Sequence, residues 1–443
     1  MDIKQLYDLY RQHPVYTTDS RDCPAGSIFF ALKGESFDGN RFAAAALEKG
    51  CALAVVDDSD IYNRYAATGA TRMLLVDDVL QTFKDLAREH RRRFDIPVIG
   101  ITGTNGKTTT KELVRAVLAQ RYRVMATEGN FNNDVGVPKT LLRLNEEDEI
   151  AVVEMGASHP GDIATLARTA EPTCGLITNV GKAHLLGFGS FEGVIHTKGE
   201  LYDALATRPG SLIFVNDDNE YLTAILPAGT ATLRYTRRDD NTAARVVGQI
   251  VDCSPFLRLR WRDNEAPHSP WHEVSTSLIG GYNLDNVLAA VAVGLHFGVE
   301  PKQIVNAIEG YQPTNNRSQL VVTPHNRLIV DAYNANPTSM RAALDNFAAM
   351  NVSPKMAILG EMRELGPGSR DEHRRLVEQV AQCGLDTVWL VGREFANIDC
   401  DYRKFDDVEQ VRAALAAGDR PTGYHILIKG SNGTRLFLLP DEL

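Results

Sequence analysis

Short continuous runs of apolar residues alternate with stretches of helical spacing through the middle of the chain. The apolar runs cover residues 98–102, 150–155, 175–178 and 211–215. Helical spacing follows several of them, as at residues 108–120 and 162–169. Buried strands that alternate with helices predict a parallel sheet covered on both faces. We expect this central domain to span residues 95–311.

Residues 229–279 depart from this rhythm and alternate apolar with polar positions, as in Leu257-Arg258-Leu259-Arg260-Trp261. Strict alternation is typical of strands with one buried face. We therefore predict an antiparallel β insert within the central domain. Helical spacing resumes at residues 283–297 and 301–309.

Strand-like and helical stretches also occur on either side of the central domain. Near the N-terminus, strand-like runs occupy residues 27–32, 52–56 and 73–76. They predict an N-terminal mixed α/β domain over residues 1–85. Near the C-terminus, apolar runs separated by helices occupy residues 328–331, 355–359, 387–391 and 424–429. They predict a Rossmann-like open sheet over residues 312–443.

Composition excludes several classes of protein. The 443 residues are 44% hydrophobic and 23% charged, which is enough apolar material for several cores. The net charge of −10 argues against a nucleic-acid surface. No run reaches the ~20 apolar residues of a membrane span, and the N-terminus lacks a signal-peptide pattern. The six cysteines form no CxxC pair, which favours free thiols over a zinc site or disulfides. We expect a cytoplasmic protein.

The strongest chemical signal is the run Gly103-Thr104-Asn105-Gly106-Lys107-Thr108-Thr109, between an apolar strand and a helical stretch. Glycines expose backbone N–H groups to a phosphate, and the helix N-terminus adds positive charge. Lys107 would contact the β- and γ-phosphates, and the Thr108 hydroxyl would bind magnesium. The usual P-loop has four residues between its glycines, whereas two separate Gly103 from Gly106. The alternative is a turn that caps a helix by chance.

Three further residues are candidates for the same site, each with a bland alternative. Glu154 ends a buried strand, where a carboxylate would face the ligand crevice and could share a magnesium ion with Thr108. It could equally be a structural cap. His184 follows another strand but could be an exposed loop histidine. Lys198, from its local sequence, resembles an ordinary surface lysine.

Taken in order, these runs and several others resemble the Mur ligase family from about residue 17 to residue 431. The further runs are Asn130-Phe131-Asn132-Asn133-Asp134-Val135-Gly136-Val137-Pro138, Glu154-Met155-Gly156-Ala157-Ser158, Gly281-Tyr282-Asn283-Leu284-Asp285-Asn286, Asp331-Ala332-Tyr333-Asn334-Ala335-Asn336-Pro337 and Lys429-Gly430-Ser431. No single run is decisive, but the ordered set is highly specific.

The resemblance implies three domains and an ATP-dependent enzyme that joins a carboxylate to an amine through an acyl phosphate. The Asn-rich run and the Tyr-Asn-Ala-Asn-Pro run are most similar to those of the member that adds D-alanyl-D-alanine to a UDP-N-acetylmuramoyl-tripeptide. That reaction belongs to peptidoglycan synthesis, which supports cell shape and division. We expect these small molecules to be the partners, with neither nucleic acid nor membrane, and we expect a monomer.

The resemblance also implies roles for individual residues. Lys198 would be carbamylated by CO₂ and, with His184, would hold a second magnesium ion. Asn283 and Asn286, three apart on one helix face, would bind adenine. The remaining nucleotide contacts would come from Arg317 at the γ-phosphate and from Asp331 and Asn334 near the ribose. The acceptor substrate would contact Ser20, Arg21, Asn130, Asn132, Asn133, Lys429 and Ser431.

Two positions depart from the family pattern that we expect. Glu361 stands where aspartate is common, and Asn432 stands where arginine would follow Ser431. Two other functions stay open: a family member that adds a different amino acid, and a P-loop ATPase or kinase without ligation. The latter would leave the first domain without a role.

Overall fold

A computed structural model describes residues 2–34, 36–313 and 317–443. Its contacts divide the chain into two compact units. The first contains residues up to Val98, Met125–Met155 and Thr165–Pro172. The second contains Ile99–Val124, Gly156–Ala164 and Thr173–Leu443.

Helices and strands alternate along almost the whole chain. The helices are α1 (Ile3–Gln12), α2 (Ala43–Glu48), α3 (Ser59–Ala66), α4 (Val79–Arg91), α5 (Lys107–Leu118), α6 (Gly136–Leu141), α7 (Asp162–Ala170), α8 (Leu185–Phe188), α9 (Phe191–Ala206), α10 (Glu220–Ala224), α11 (Asn283–His296), α12 (Pro301–Gly310), α13 (Pro337–Ala349), α14 (Ser369–Val380) and α15 (Val408–Ala416). The strands are β1 (Tyr16–Thr17), β2 (Ile28–Phe30), β3 (Leu53–Val56), β4 (Met73–Leu75), β5 (Val98–Thr102), β6 (Val124–Ala126), β7 (Ile150–Glu154), β8 (Cys174–Ile177), β9 (Leu212–Asn216), β10 (Ala231–Thr236), β11 (Val246–Cys253), β12 (Phe256–Asp263), β13 (His272–Ile279), β14 (Gln319–Val322), β15 (Arg327–Asp331), β16 (Lys355–Gly360), β17 (Thr387–Val391), β18 (Arg403–Phe405) and β19 (His425–Lys429).

The first unit contains a four-stranded sheet in the order β1-β2-β3-β4, with every pair parallel. Phe29, Ala54 and Val56 from this sheet pack with α2 in a buried core. Aspartates cap α3 and α4. Asp78, for example, accepts a hydrogen bond from the N–H of Gln81 at 2.8 Å, which satisfies a donor at the start of α4. This unit also contains α6 and β7.

In the second unit, seven strands lie side by side in the order β13-β12-β11-β10-β9-β8-β5. The pairs from β5 to β11 are parallel, and only β11-β12-β13 are antiparallel. The predicted antiparallel insert is therefore correct from residue 246 onwards. It was wrong for β10, which extends the parallel part of the sheet. The chain crosses over through α10 before β10, so the two neighbouring strands run in the same direction.

A six-stranded sheet in the same unit has the order β14-β15-β19-β16-β17-β18. Alternate residues of its central strands enter two different cores, as Leu328 and Ile329 do in β15. Burial on both faces explains why these strands read as continuous apolar runs. Asp331 and Lys429 occupy paired positions at the carboxyl ends of β15 and β19. The edge strands β14 and β18 were absent from the sequence prediction because they are only partly buried and do not form continuous buried apolar runs.

Candidate functional site

The loop between β5 and α5 has a backbone that only glycine accommodates at two positions. Gly103 and Gly106 have φ values of +139° and +79°. A Cβ on Gly103 would lie 2.0 Å from Thr178 Oγ1, and a Cβ on Gly106 would lie 2.6 Å from Asn286 Oδ1. The loop is therefore packed from both sides, and a side chain at either glycine would displace a neighbour.

The segment after β8 fixes the conformation of this loop through hydrogen bonds to the main chain of the loop. The N–H of Thr104 donates to the Asn179 carbonyl at 2.9 Å, and the N–H of Asn105 donates to Asn179 Oδ1 at 3.0 Å. The Thr178 hydroxyl donates to the Asn105 carbonyl at 2.6 Å. Sequence reasoning missed Thr178 and Asn179, although both lie between β8 and the candidate His184. Their polarity straight after a buried strand was the available signal.

Lys107 and Thr108 form the first turn of α5, where backbone N–H groups point out of the helix. The ammonium of Lys107 donates to the carbonyls of Gly103 at 2.9 Å and Thr104 at 3.1 Å, so its charge lies over the loop. Thr108 is buried. A positive helix end, a lysine ammonium and a threonine hydroxyl together suit a phosphate with a hard cation.

Asn283 and Asn286 lie next to the loop on one face of α11. Asn286 Nδ2 donates to Asn283 Oδ1 at 2.8 Å, and Asn286 Oδ1 accepts from the Thr110 hydroxyl at 3.1 Å. Asn283 Nδ2 in turn donates to the Ile279 carbonyl at 2.9 Å. The chain of hydrogen bonds joins α11 to α5 and holds the two amides in fixed orientations.

Lys198 is buried in the middle of α9, with only 2% of its surface exposed. Its Nζ lies 5.4 Å from the centre of the Phe188 ring. Burial, followed by the positive charge of Lys107, lowers the pKa of Lys198 to about 7, while Asp162 and Glu200 oppose this shift. A large fraction of the amine is therefore uncharged at neutral pH, unlike that of the surface lysine that its local sequence suggested.

Glu200 and Asp162 order the chain opposite Lys198. Glu200 accepts hydrogen bonds from the N–H groups of Gly161 at 2.7 Å and Ala164 at 2.8 Å. Asp162 accepts from the N–H groups of Ser158 and His159, both at 2.8 Å. The carboxylates are thus occupied by backbone donors near the start of α7.

His184 has a left-handed backbone, with φ of +49°. Its Nδ1 contacts the carboxylate of Glu364. Burial lowers the pKa of His184, and Lys107 and Lys198 contribute in the same direction, while Glu364 opposes them. The imidazole ring meets Phe188 edge to face, with ring centres 6.2 Å apart. Phe188 therefore contacts both His184 and Lys198, a role that sequence reasoning missed.

Two third-domain residues predicted to contact the nucleotide have partners nearby. The guanidinium of Arg317 stacks over the Tyr333 ring, with its carbon 3.8 Å from the ring centre. Asp331 forms an ion pair of 2.6 Å with Lys429, whose ammonium also donates to the Asn334 carbonyl at 3.2 Å. The predicted nucleotide contacts Asp331 and Asn334 and the predicted substrate contact Lys429 are thus brought together.

Ser431 follows Lys429 by two residues and is buried. Its hydroxyl accepts a hydrogen bond from the N–H of Arg363 at 3.1 Å. The guanidinium of Arg363 donates to the Gly433 carbonyl at 3.2 Å, next to Asn432. Arg363, from the loop after β16, thus lies next to Asn432, the position where we expected an arginine from the family pattern.

Asn336 links the start of α13 to the loop between β5 and α5, residues 103–109, which we call the phosphate loop after its predicted role. Its Nδ2 donates to Asn105 Oδ1 at 2.7 Å, while its Oδ1 accepts from the N–H of Ser339 at 2.9 Å. The side chain thus caps its own helix and contacts the loop at once. Sequence analysis assigned no separate function to Asn336, since asparagine before proline is a common helix start.

The remaining candidates lie in the first unit. Glu154 ends β7, is 1% exposed, and accepts a hydrogen bond from Asn132 Nδ2 at 2.8 Å. Asn133 Oδ1 accepts from the N–H of Gly136 at 2.8 Å and fixes the start of α6. Asn130 is exposed in the same loop. The Asn-rich run is thus partly structural and partly open to solvent.

Ser20 and Arg21 lie in the loop after β1. The guanidinium of Arg21 pairs with Asp19 at 2.7 Å, and the Ser20 carbonyl accepts from Lys49 Nζ at 2.7 Å. Arg21 is largely exposed and therefore accessible to an anionic ligand.

Among the described residues there is no group of three or more His, Cys, Asp or Glu side chains that could hold a metal ion. The candidate donors are of mixed type, namely the Thr108 hydroxyl, the Glu154 carboxylate, the His184 imidazole and the Lys198 amine. Magnesium prefers oxygen ligands, so Lys198 fits this ion only after its nitrogen gains a carboxylate. Over the same part of the chain, no helix has the length and apolarity needed to cross a membrane.

Three models of Mur ligase domains match the chain in order. The Mur ligase family catalytic domain matches residues 15–91, and the Mur ligase middle domain matches residues 101–294. The Mur ligase glutamate ligase domain matches residues 316–432.

Relatives match over almost the full length. The chain is 34% identical to UDP-N-acetylmuramoyl-tripeptide–D-alanyl-D-alanine ligase of Bacillus subtilis (strain 168), over 96% of this chain and 92% of that protein. The structure of MurF from Acinetobacter baumannii superimposes with a TM-score of 0.85 at 29% identity, over 97% of this chain and 92% of that one. The Thermotoga maritima MurF ligase in complex with ADP gives 0.85 at 27% identity, over 98% and 97%. These matches show that the protein belongs to the Mur ligase family and has its three-domain α/β architecture.

Proposed function

We propose that this protein is an ATP-dependent ligase that adds D-alanyl-D-alanine to a UDP-N-acetylmuramoyl-tripeptide during peptidoglycan precursor synthesis. The observation that carries the proposal is the loop from Gly103 to Thr109 in a Mur ligase chain, where burial and the charge of Lys107 lower the pKa of Lys198. Relatives with that named activity align with 96% of the chain at 34% and 35% identity.

The nucleotide binds at the loop between β5 and α5. The backbone N–H groups of Gly103, Thr104, Asn105 and Gly106 and the side chains of Lys107, Thr108 and Thr109 surround its phosphates. Asn283 and Asn286 hold the adenine, as the family resemblance implies; Asn286 lies against Gly106 and donates a hydrogen bond to Asn283, which orients both amides. The guanidinium of Arg317 contacts the γ-phosphate, and Asp331 and Asn334 lie near the ribose.

Two magnesium ions accompany the nucleotide and neutralise phosphate charge. Thr108 and Glu154 are candidate ligands for these ions. His184 and Lys198 would together hold one of them, with Lys198 present as a carbamate. Carbamylation requires a neutral amine to attack CO₂, and a pKa of about 7 supports this at physiological pH.

A carboxylate does not react with an amine at neutral pH, since an oxide would have to leave. Transfer of the γ-phosphoryl group makes an acyl phosphate, which the dipeptide amine attacks to form a tetrahedral intermediate. Collapse of this intermediate releases phosphate and leaves an amide. Lys107 and Arg317 offset the repulsion between the two anions, and loss of one such contact costs about 3–4 kcal/mol in the transition state.

The acceptor substrate binds through residues of all three domains. Its UDP and sugar contact Ser20, Arg21, Asn130, Asn132 and Asn133. Its peptide contacts the segment from Lys429 to Ser431. Asn432 replaces the arginine of the expected family pattern, and Arg363 lies next to this position.

We place this reaction in the cytoplasm, because ATP and UDP-linked precursors are available there, and we propose that a monomer carries it out. The substrates are small molecules, and the net charge of −10 disfavours nucleic acid as a partner. The product feeds the wall growth on which cell shape and division depend.

The test is to incubate the purified protein with ATP, magnesium, D-alanyl-D-alanine and a UDP-N-acetylmuramoyl-tripeptide that carries lysine or diaminopimelate. A pentapeptide nucleotide by mass, with phosphate release that needs both substrates, is the expected result. Phosphate release only with a single amino acid and a shorter acceptor would identify another Mur activity. Release without any amine would indicate an ATPase and refute ligation.

A further inference from the structure

A contact between two loops of the second unit stands out because both partners have unfavourable backbones. His184 and Glu364 have φ values of +49° and +65°, in the left-handed region that non-glycine residues avoid. This conformation brings the side chain's Cβ too close to the following carbonyl oxygen and is disfavoured for each residue. Two such residues in direct contact indicate that surrounding structure holds each of them in place, a pattern that is common at functional sites.

The packing around the contact keeps the two loops in register. The N–H of Leu186 donates to the Glu364 carbonyl at 3.4 Å. Gly366, with φ of +62°, passes so close to Leu186 that a Cβ would lie 3.2 Å from its side chain. Backbone contacts thus fix the position of Glu364 next to His184.

The chemistry of the contact determines the state of the imidazole. An ionised carboxylate only accepts hydrogen bonds, so a neutral His184 that contacts Glu364 through Nδ1 must carry its proton there. The lone pair is then on Nε2. A carboxylate behind a metal-binding histidine fixes its tautomer and raises its basicity in this way.

We infer that Glu364 is a positioning residue that holds His184 in the tautomer and orientation needed to bind a metal ion through Nε2. The inference rests on the proposed function, since it takes His184 as a metal ligand. Glu364 follows β16 in the third domain, whereas His184 follows β8 in the central domain. The metal site is therefore complete only when these two loops are together.

Two variants of Glu364 separate hydrogen bonding from charge, and a third variant serves as the control. Glu364→Met removes the acceptor with little change in length, and Glu364→Gln keeps an acceptor but removes the charge. The control is Glu372→Gln. Glu372 forms an ion pair of 3.4 Å with Lys182, which lies two residues before His184, so this contact joins the same two domains.

The first measurement is the tautomer of His184 in metal-free, ¹⁵N-histidine-labelled protein, assigned with a His184→Gln variant. Wild type, Glu364→Gln and Glu372→Gln should show a proton on Nδ1, and Glu364→Met should show a shift of the proton to Nε2. An unchanged tautomer in Glu364→Met would overturn the inference without affecting the proposed reaction.

The second measurement is the affinity for Mn²⁺ with ADP, read by electron paramagnetic resonance. Glu364→Met should weaken one Mn²⁺ site about 10–100-fold, Glu364→Gln less, and Glu372→Gln not at all. Wild-type affinity in Glu364→Met would refute the positioning role alone. Failure of the wild type to bind Mn²⁺ would refute the metal site of the proposed function and this inference together.

Discussion

Substitution of Gly106 by alanine tests whether the phosphate loop is held by packing as well as by backbone conformation. Gly106 has φ of +79°, and its added Cβ would lie 2.6 Å from Asn286 Oδ1. Gly229 has φ of +80° with nothing within 4 Å, so Gly229→Ala carries the conformational cost without the clash. Both positions belong to the second unit.

The expected magnitudes follow from these two environments. A left-handed alanine costs about 1–2 kcal/mol at either position. An extra methyl group in a filled site adds about 1–3 kcal/mol at Gly106. Gly106→Ala should therefore be less stable than Gly229→Ala by about 1–3 kcal/mol, a difference of about 1.5–5 °C in thermal midpoint.

Calorimetry and nucleotide kinetics provide the assay. Because the added methyl group must displace Asn286 from Asn283 and Thr110, Gly106→Ala should also raise the KM for ATP, about tenfold for each 1.4 kcal/mol. Gly229→Ala should leave that KM unchanged. Equal thermal midpoints and equal KM values for the two variants would refute the packing argument.

Three further predictions concern charged and titratable groups. Lys107→Met should lower kcat about 10²–10³-fold while the thermal midpoint stays near that of wild type, as steady-state kinetics and calorimetry would show. With ¹³C-bicarbonate, wild type should give a carbamate resonance that Lys198→Arg lacks; because the pKa of Lys198 is about 7, this signal should grow as pH rises through about 7. A pH-independent signal would contradict the neutral-amine argument. Burial lowers the pKa of His373 below its usual 6.5, and its ring donates to the Ser369 carbonyl and accepts from the Met362 N–H. The unfolded chain then takes up a proton first, so stability present above about pH 6.5 is lost below it; thermal midpoints of wild type should fall more steeply on acidification than those of His373→Asn.

The sequence was sufficient to locate the strands that carry the site. Continuous apolar runs identified β5, β7, β15 and β19, and the carboxylate at the end of β7 marked the candidate Glu154. Asp331 and Lys429 became candidates only through the family resemblance. The phosphate loop was recognisable because its glycines and Lys107 are adjacent in sequence.

The remaining features depend on contacts between distant segments. Lys198 reads as a surface lysine in its own helix, and only the fold buries it. Asn336 and Glu364 gain their interest from partners far away in sequence, Asn105 and His184. Local spacing carries no information about such pairs, so the resemblance to a family was needed for some and the structure for the others.

The buried ion pair between Lys429 and Asp331 has an evolutionary consequence. Because Lys429 is buried and Asp331 is 18% exposed, replacement of Asp331 alone would leave an ammonium in the protein interior without its partner, at a cost of about 3–5 kcal/mol. Most single substitutions at these positions would therefore be eliminated by selection before any effect on catalysis mattered. Descendants of this chain should keep both residues or replace both, so substitutions at the two positions should be correlated.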